Sequence, residues 1–284
     1  LEIVDTDKYD YILTYSFPCQ DLSLAGKCKG MSDNSTRSGM LWEVERILSE
    51  CQELGNLPQI LLMENVPQVH SQENIPDFNK WYLRLEELGY KNYFEDLIAT
   101  DFGIPQTRNR CFMISILGDY SYMFPKKQQL ELKLSDLLED NVEDKYYLSD
   151  KFIECMTKEK IGGYPRKELF EQSLNRVNSV DIANTITTLK GNRDISTFIK
   201  IKNNTKKGYQ EAKVGDSIDF TQPNSTTRRG RVQKNKAQTL TTQNNLGVVN
   251  NDLRIRKLTP KECFRLMGVK DEDFEKVSIN QSQS

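Results

Sequence analysis

The chain has 284 residues, a formal net charge of −2, and 37% hydrophobic and 28% charged residues, enough for one large or two small domains. No run approaches the roughly 18 apolar residues of a membrane span, and no signal peptide opens the chain, so the sequence predicts no membrane partner. Six cysteines without a C-x-x-C pair, and a single histidine, His70, argue against a zinc site or any other metal and for a reducing, cytoplasmic compartment.

Residues 11–15 are β-branched and aromatic and read as a short buried strand. Pro18 ends it, because proline has no N–H to give a sheet. Cys19 therefore stands in a loop at a strand's C-terminal edge, where open α/β sheets place chemistry; a buried, inert thiol is the other reading of that position. Residues 20–39 are rich in Gly, Ser, Lys and Asn, without an apolar period, and a loop of that length is usually functional. A helix over 40–54 lines up Leu41, Val44, Ile47, Leu48, Cys51 and Leu54 on one face. Strand 59–63 leads to Glu64-Asn65-Val66. Asp77 can cap the next helix, with Phe78, Trp81, Leu85 and Leu88 on one side and Gly89 at its end. Strand 94–100 leads into Gln106-Thr107-Arg108-Asn109-Arg110, and strand 111–117 follows as an antiparallel hairpin partner. The order strand–helix–strand–helix–strand predicts an α/β fold: a mostly parallel, doubly wound sheet with helices on both faces.

After Gly118 the texture turns polar. Between 198 and 236 there are ten cations and three anions. Such a local basic excess on an acidic body is the footprint of a phosphate-binding face, or else a solvated loop. Arg176-Val177 with 183–188, and Arg231-Val232 with 237–242, form an internal repeat that reads as two strand-plus-loop units. Their loops carry Arg193 and Asn244. Near the end, Thr259, Pro260 and Glu262 form a capping box that opens a short helix, and Cys263 reads as packing.

Four of these stretches, in this order, resemble the cytosine-5 DNA methyltransferase family of bacterial or phage restriction-modification type. They are Pro18-Cys19-Gln20 with its tail Gly26 to Met31, Glu64-Asn65-Val66, Gln106-x-Arg108-x-Arg110, and Arg256 to Cys263. The resemblance implies a Rossmann-like, S-adenosylmethionine-dependent catalytic domain over 1–118. It implies a small β-rich target-recognition domain over 119–253 and a return segment, 254–284, packing on the catalytic domain. Cys19 would be the covalent nucleophile and Glu64 the partner of cytosine N3, with Arg108 and Arg110 positioning base and carboxyl. Asn65 would hold the loop of Glu64, and Gln20 and Ser23 would lie around the extruded base. Pro18 and Leu41 are the only cofactor contacts that carry over. Arg193, Arg228, Arg229, Arg231 and Asn244 are the candidates for DNA contact.

The residue types suit that chemistry. A thiol is nucleophilic even at a few per cent thiolate, nearby guanidiniums can lower its pKa, and a carboxyl can share a proton with a ring nitrogen. The lesser reading of Arg108 and Arg110 is that they merely cap strands through salt bridges. The family's Phe-x-Gly-x-Gly turn and closing Gly-Asn-Ser segment are not in this sequence, which therefore reads as incomplete at both ends. The implied partners are double-stranded DNA and a cognate restriction endonuclease, with a monomer when complete. A non-catalytic DNA-binding remnant and a tRNA cytosine-5 methyltransferase are the alternatives.

Overall fold

A computed structural model describes residues 3, 8–17, 40–157, 198–225, 227–243, 245–251 and 253–281. Contacts divide the chain into two units. One comprises Leu1–Phe102 with Arg108–Gln129, the other Gly103–Thr107 with Leu130–Ser284.

The first unit is a four-stranded sheet, β1 (Ile12–Tyr15), β2 (Ile60–Asn65), β3 (Tyr90–Ile98) and β4 (Asn109–Leu117), in the order β1-β2-β4-β3. β1 and β2 are parallel, and β4 is antiparallel to both β2 and β3. The hairpin of the last two strands is as the short connection predicts. Among the described residues the sheet is less parallel than expected, because β4 inserts between β2 and β3 and leaves one adjacent parallel pair.

Helices α1 (Leu41–Glu53) and α2 (Ile75–Glu87) lie side by side. Arg84 of α2 donates from Nε to Glu45 Oε1 at 2.9 Å and from Nη2 to Ser49 Oγ at 2.9 Å, both on α1. Among the described residues the two helices share one face of the sheet, not both faces as expected. Leu48, Leu61, Met63, Phe78, Trp81, Leu85 and Met113 close the core between helices and sheet. Each such burial contributes on the order of 1.5–3 kcal/mol. Trp81 Nε1 donates to Tyr15 Oη at 3.0 Å, so the core's largest ring keeps its polar atom satisfied. The same burial raises the Tyr15 phenol far above its ordinary pKa. On the other face Ile60, Leu62, Ile114 and Ile116 are half-buried and Ile12 is exposed.

Two boundaries move. α2 starts at Ile75, with Pro76 in its first turn and Asp77 inside that turn instead of capping it. Proline suits this position because the first N–H groups of a helix have no partner there. β3 starts at Tyr90, directly after Gly89, whose φ of +94° ends the helix. Lys91 and Asn92 hide this strand start in the sequence, yet Tyr90 and Asn92 point inward and Lys91 outward. The first unit also reaches past 118. Tyr93 Oη donates to the Tyr120 carbonyl at 2.7 Å, and Gln128 N donates to the Asp101 carbonyl at 2.7 Å.

The second unit holds a four-stranded sheet in the order β10-β9-β7-β8 and a hairpin of β5 and β6. Its strands are β5 (Ile199–Lys202), β6 (Tyr209–Ala212), β7 (Ser217–Asp219), β8 (Val232–Gln233), β9 (Leu246–Val249) and β10 (Ile255–Lys257). Its helices are α3 (Asp150–Met156), α4 (Pro260–Arg265) and α5 (Asp271–Gln281). β10 pairs with β9, so the segment after 253 joins this unit. The capping box forms as read. Glu262 N donates to Thr259 Oγ1 at 3.2 Å, and Thr259 N donates to Glu262 Oε2 at 2.8 Å. Glu262 is also fully buried against Arg256, which donates from Nη1 at 2.8 Å and Nη2 at 2.6 Å. Such bidentate geometry is what makes a buried ion pair tolerable.

Of the two repeat units, 176–188 lies outside the described residues. In the other, 237–242 is not a strand. It is held to 105–107 by one bridge, in which Thr107 N donates to the Ala237 carbonyl at 2.8 Å and Ala237 N to that of Pro105 at 2.7 Å. No described helix is long and apolar enough to cross a membrane.

Candidate active site

Glu64 is the penultimate residue of β2, and Arg108 and Arg110 flank the start of β4. The antiparallel register sets Glu64 opposite Phe112. Side chains alternate along a strand, so positions 108, 110 and 112 share the face of Glu64. This is the physical reason for the two-residue spacing of the arginines. Glu64 Oε1 accepts from Arg108 Nη2 at 2.9 Å and pairs with Arg110 Nε at 3.1 Å. Among the described residues, Glu64 Oε2 accepts from Ser16 Oγ, at a long 3.4 Å. Arg110 Nη1 donates to the Asn109 carbonyl at 2.7 Å, which fixes the guanidinium plane.

Asn65 points the other way and is 2% exposed. Its Nδ2 donates to the Phe17 carbonyl at 3.1 Å, and its Oδ1 accepts from Val66 N at 2.9 Å. One buried amide thus ties the end of β2 to the end of β1, at the residue before Pro18. Ser16, Phe17, Glu64, Asn65, Val66, Arg108 and Arg110 together line a cleft of about 100 Å³. A carboxylate anchored through one oxygen by two guanidiniums presents its second oxygen in a fixed direction. It can there receive or share a proton with a planar polar ligand.

Glu64, Asn65, Arg108 and Arg110 are therefore brought together. Pro18, Cys19, Gln20, Ser23, Arg193 and Asn244 lie outside the described residues. Leu41 is 1% exposed and packs in the first unit's core, so its side chain is enclosed by protein. Arg231 is a correction: it is fully buried, and its Nη2 donates to the carbonyls of Gln222 at 2.6 Å and Ser225 at 3.0 Å. Burial lowers its pKa, with Arg228 adding to the effect. It braces the 221–230 loop and offers nothing to a DNA phosphate. Arg228 is paired with Asp219. Arg229 remains exposed, its Nε on the Asn204 carbonyl at 2.9 Å. Ser16 and Phe17 belong to the stretch around Cys19 that the sequence singles out, but it assigns them no role; their place at the strand end is the signal for one.

A family model of C-5 cytosine-specific DNA methylases matches residues 2–284. The chain belongs to that family. It is similar to "Type II methyltransferase M2.ScrFI" of Lactococcus lactis subsp. cremoris, at 36% identity over 271 residues, covering 94% of this chain and 58% of the relative. It is also similar to "Orphan methyltransferase M.SssI" of Spiroplasma monobiae, at 46% identity over 140 residues, covering 49% of this chain and 36% of the relative. The chain thus spans little more than half the length of the first relative and about a third of the second. Among solved structures, the Entamoeba histolytica methyltransferase EhMeth aligns with a TM-score of 0.51 at 17% identity, over 95% of this chain and 71% of that one. This likeness shows an α/β methyltransferase fold.

Proposed function

We propose that this protein methylates C5 of cytosine in double-stranded DNA, through a covalent adduct between Cys19 and C6 of a flipped base. The observation that carries the reading is the Glu64 carboxylate, held by Arg108 and Arg110 in a cleft that Asn65 fastens to the residue before Pro18-Cys19. Family membership and the relatives' names support it.

In this reading the Cys19 thiolate adds to C6, and the C5–C6 π electrons shift toward N3. Glu64, carrying a proton on Oε2, the oxygen turned away from the arginines, donates it in a hydrogen bond to N3 and so stabilises the added charge. C5, now enamine-like, would form a bond to the methyl group as the methyl–sulfur bond of the donor breaks, its electron pair leaving on sulfur as a neutral thioether. Loss of the C5 proton to a base expels Cys19, and the aromatic ring returns. S-adenosylmethionine supplies the methyl group on a sulfonium, which makes it electrophilic. No described side chain is assigned to that donor, since Leu41 is enclosed in the core.

Reaching C5 and C6 requires the base to leave the stack, at a few kcal/mol. Exposed cations of the second unit, Lys206, Lys213 and Arg229, supply phosphate contacts that offset this cost. The second unit is accordingly the target-recognition part. The Type II designation in the name of the Lactococcus relative supports a restriction-modification role.

The test is trapping on a duplex carrying 5-fluorocytosine, using the polypeptide encoded by the uninterrupted reading frame together with S-adenosylmethionine. A denaturant-stable protein–DNA adduct is expected from the parent, and none from Cys19→Ala. Glu64→Gln should slow adduct formation by about 10²–10⁴-fold. DNA binding without adduct or methyl incorporation in the parent would overturn the enzymatic reading in favour of a binding protein.

A further inference from the structure

His70, Asp96 and Cys111 form a second polar cluster in the first unit, and the proposed methyl transfer uses none of them. They come from three elements: the 3-10 turn Pro67–His70 that continues β2, then β3, then β4. Asp96 and Cys111 are directly opposite across the β3–β4 ladder, and Cys111 faces Asn65 on its other side. His70 Nε2 stands 2.9 Å from Asp96 Oδ1. One ligand atom from each of the three residues lies within 4.8 Å of the other two. Cys111 is buried, whereas the side chains of His70 and Asp96 are 28% and 32% exposed. The cluster thus has a dry side holding the sulfur and a wet side open to a small ion.

We propose that His70, Asp96 and Cys111 are the protein ligands of a mononuclear divalent metal site of the zinc class, with a fourth position open to water. A thiolate, an imidazole nitrogen and a carboxylate oxygen form a borderline-soft donor set. Such a set suits zinc and its neighbours and not magnesium or calcium, which take oxygen. Bonds of about 2.0–2.3 Å place tetrahedral ligand atoms roughly 3–4 Å apart. Closing from 4.8 Å therefore needs a shift of about 1 Å, which the half-exposed His70 and Asp96 can make by side-chain rotation.

The charges balance. On binding, the thiol proton leaves to solvent, and the imidazole keeps its one proton on the nitrogen away from the ion. One thiolate and one carboxylate then neutralise the dication. The ligands are 26 and 15 residues apart in the chain, so no local motif announces them. The turn bearing His70 runs on from Glu64-Asn65, and a bound ion would fasten that segment to β3 and β4.

Cobalt(II) titration of the full 284-residue chain tests this, because a cobalt–thiolate bond has a charge-transfer absorption. The expected result is one equivalent bound with that band, displaced by zinc. Cys111→Ser should abolish the band, and His70→Gln should weaken binding by more than about tenfold, the least that losing even an outer-shell partner costs. Absence of the band in the parent overturns the proposal, as does a band that survives Cys111→Ser. His70 is half-exposed and its replacement should leave the fold intact by circular dichroism. Undiminished affinity in His70→Gln would therefore also overturn the assignment, even if Cys111→Ser does not fold.

Discussion

Glu64 Oε1 is the shared acceptor of Arg108 Nη2 at 2.9 Å and Arg110 Nε at 3.1 Å. Two donors on one oxygen leave the carboxylate little rotation. Removing Arg110 frees the carboxylate to swing. Arg110→Ala should lower kcat for methyl transfer by about 10–100-fold, the equivalent of one charge-assisted hydrogen bond of roughly 1.5–3 kcal/mol. The KM for DNA should change little, since the Arg110 guanidinium is turned to Glu64. Steady-state kinetics on one duplex separates the two, and a large KM effect with kcat intact would show that Arg110 merely binds DNA.

Asn65 serves two backbone groups while almost fully buried. In Asn65→Ala the Phe17 carbonyl loses its donor and Val66 N its acceptor, at an expected loss of about 1–3 kcal/mol. Urea unfolding followed by tryptophan fluorescence should show this as a lowered midpoint with an unchanged m-value.

The neighbouring arginines of the basic segment should behave differently. Arg229 is exposed, so Arg229→Ala should weaken DNA binding uniformly across sequences and reduce the salt slope by about one. Arg231 is buried on two carbonyls, so Arg231→Met should alter thermal stability and leave the salt slope unchanged. Fluorescence anisotropy at several salt concentrations distinguishes them.

Acid should loosen the end of the chain. Arg265 and Lys261 hold the Asp271 carboxyl well below its ordinary pKa, through hydrogen bonds from Arg265 at 2.7 and 2.6 Å. A depressed folded pKa means that the unfolded chain takes the proton first. The contribution is therefore full above the unfolded value of about 3.9 and is lost as pH falls toward the folded value. Between pH 5 and pH 2 the Tm of Asp271→Asn should fall less steeply than that of the parent, as scanning calorimetry would show.

Where chemistry is written along one strand, the sequence was readable. The two-residue spacing of Arg108 and Arg110, the helical face of α1 and the box of Thr259 with Glu262 each depend on local periodicity. Features that depend on which strand lies beside which were not. Nothing in the chain order says that β4 passes between β2 and β3, so the single parallel pair was not foreseen. The juxtaposition of Cys111 with Asp96 and His70 was hidden for the same reason. Arg231 was misread because a cation in a basic run looks solvated, and only the folded loop reveals the two carbonyls that enclose it. β3 began earlier than read because Lys91 and Asn92 carry no strand preference, and the alternation of Tyr90 with Asn92 became visible only through burial.

The insertion of β4 also dictates when this unit can come into being on a ribosome. β1, α1, β2, α2 and β3 are synthesised first, yet β2 and β3 share no edge. Until residue 117 has emerged, the nascent sheet has a gap at its centre and two unpaired edges, the state most open to misassembly. The strand that fills the gap also carries Arg110 and is preceded directly by Arg108. Closing the sheet and clamping Glu64 are therefore the same late event, and a chain stalled before β4 can hold neither.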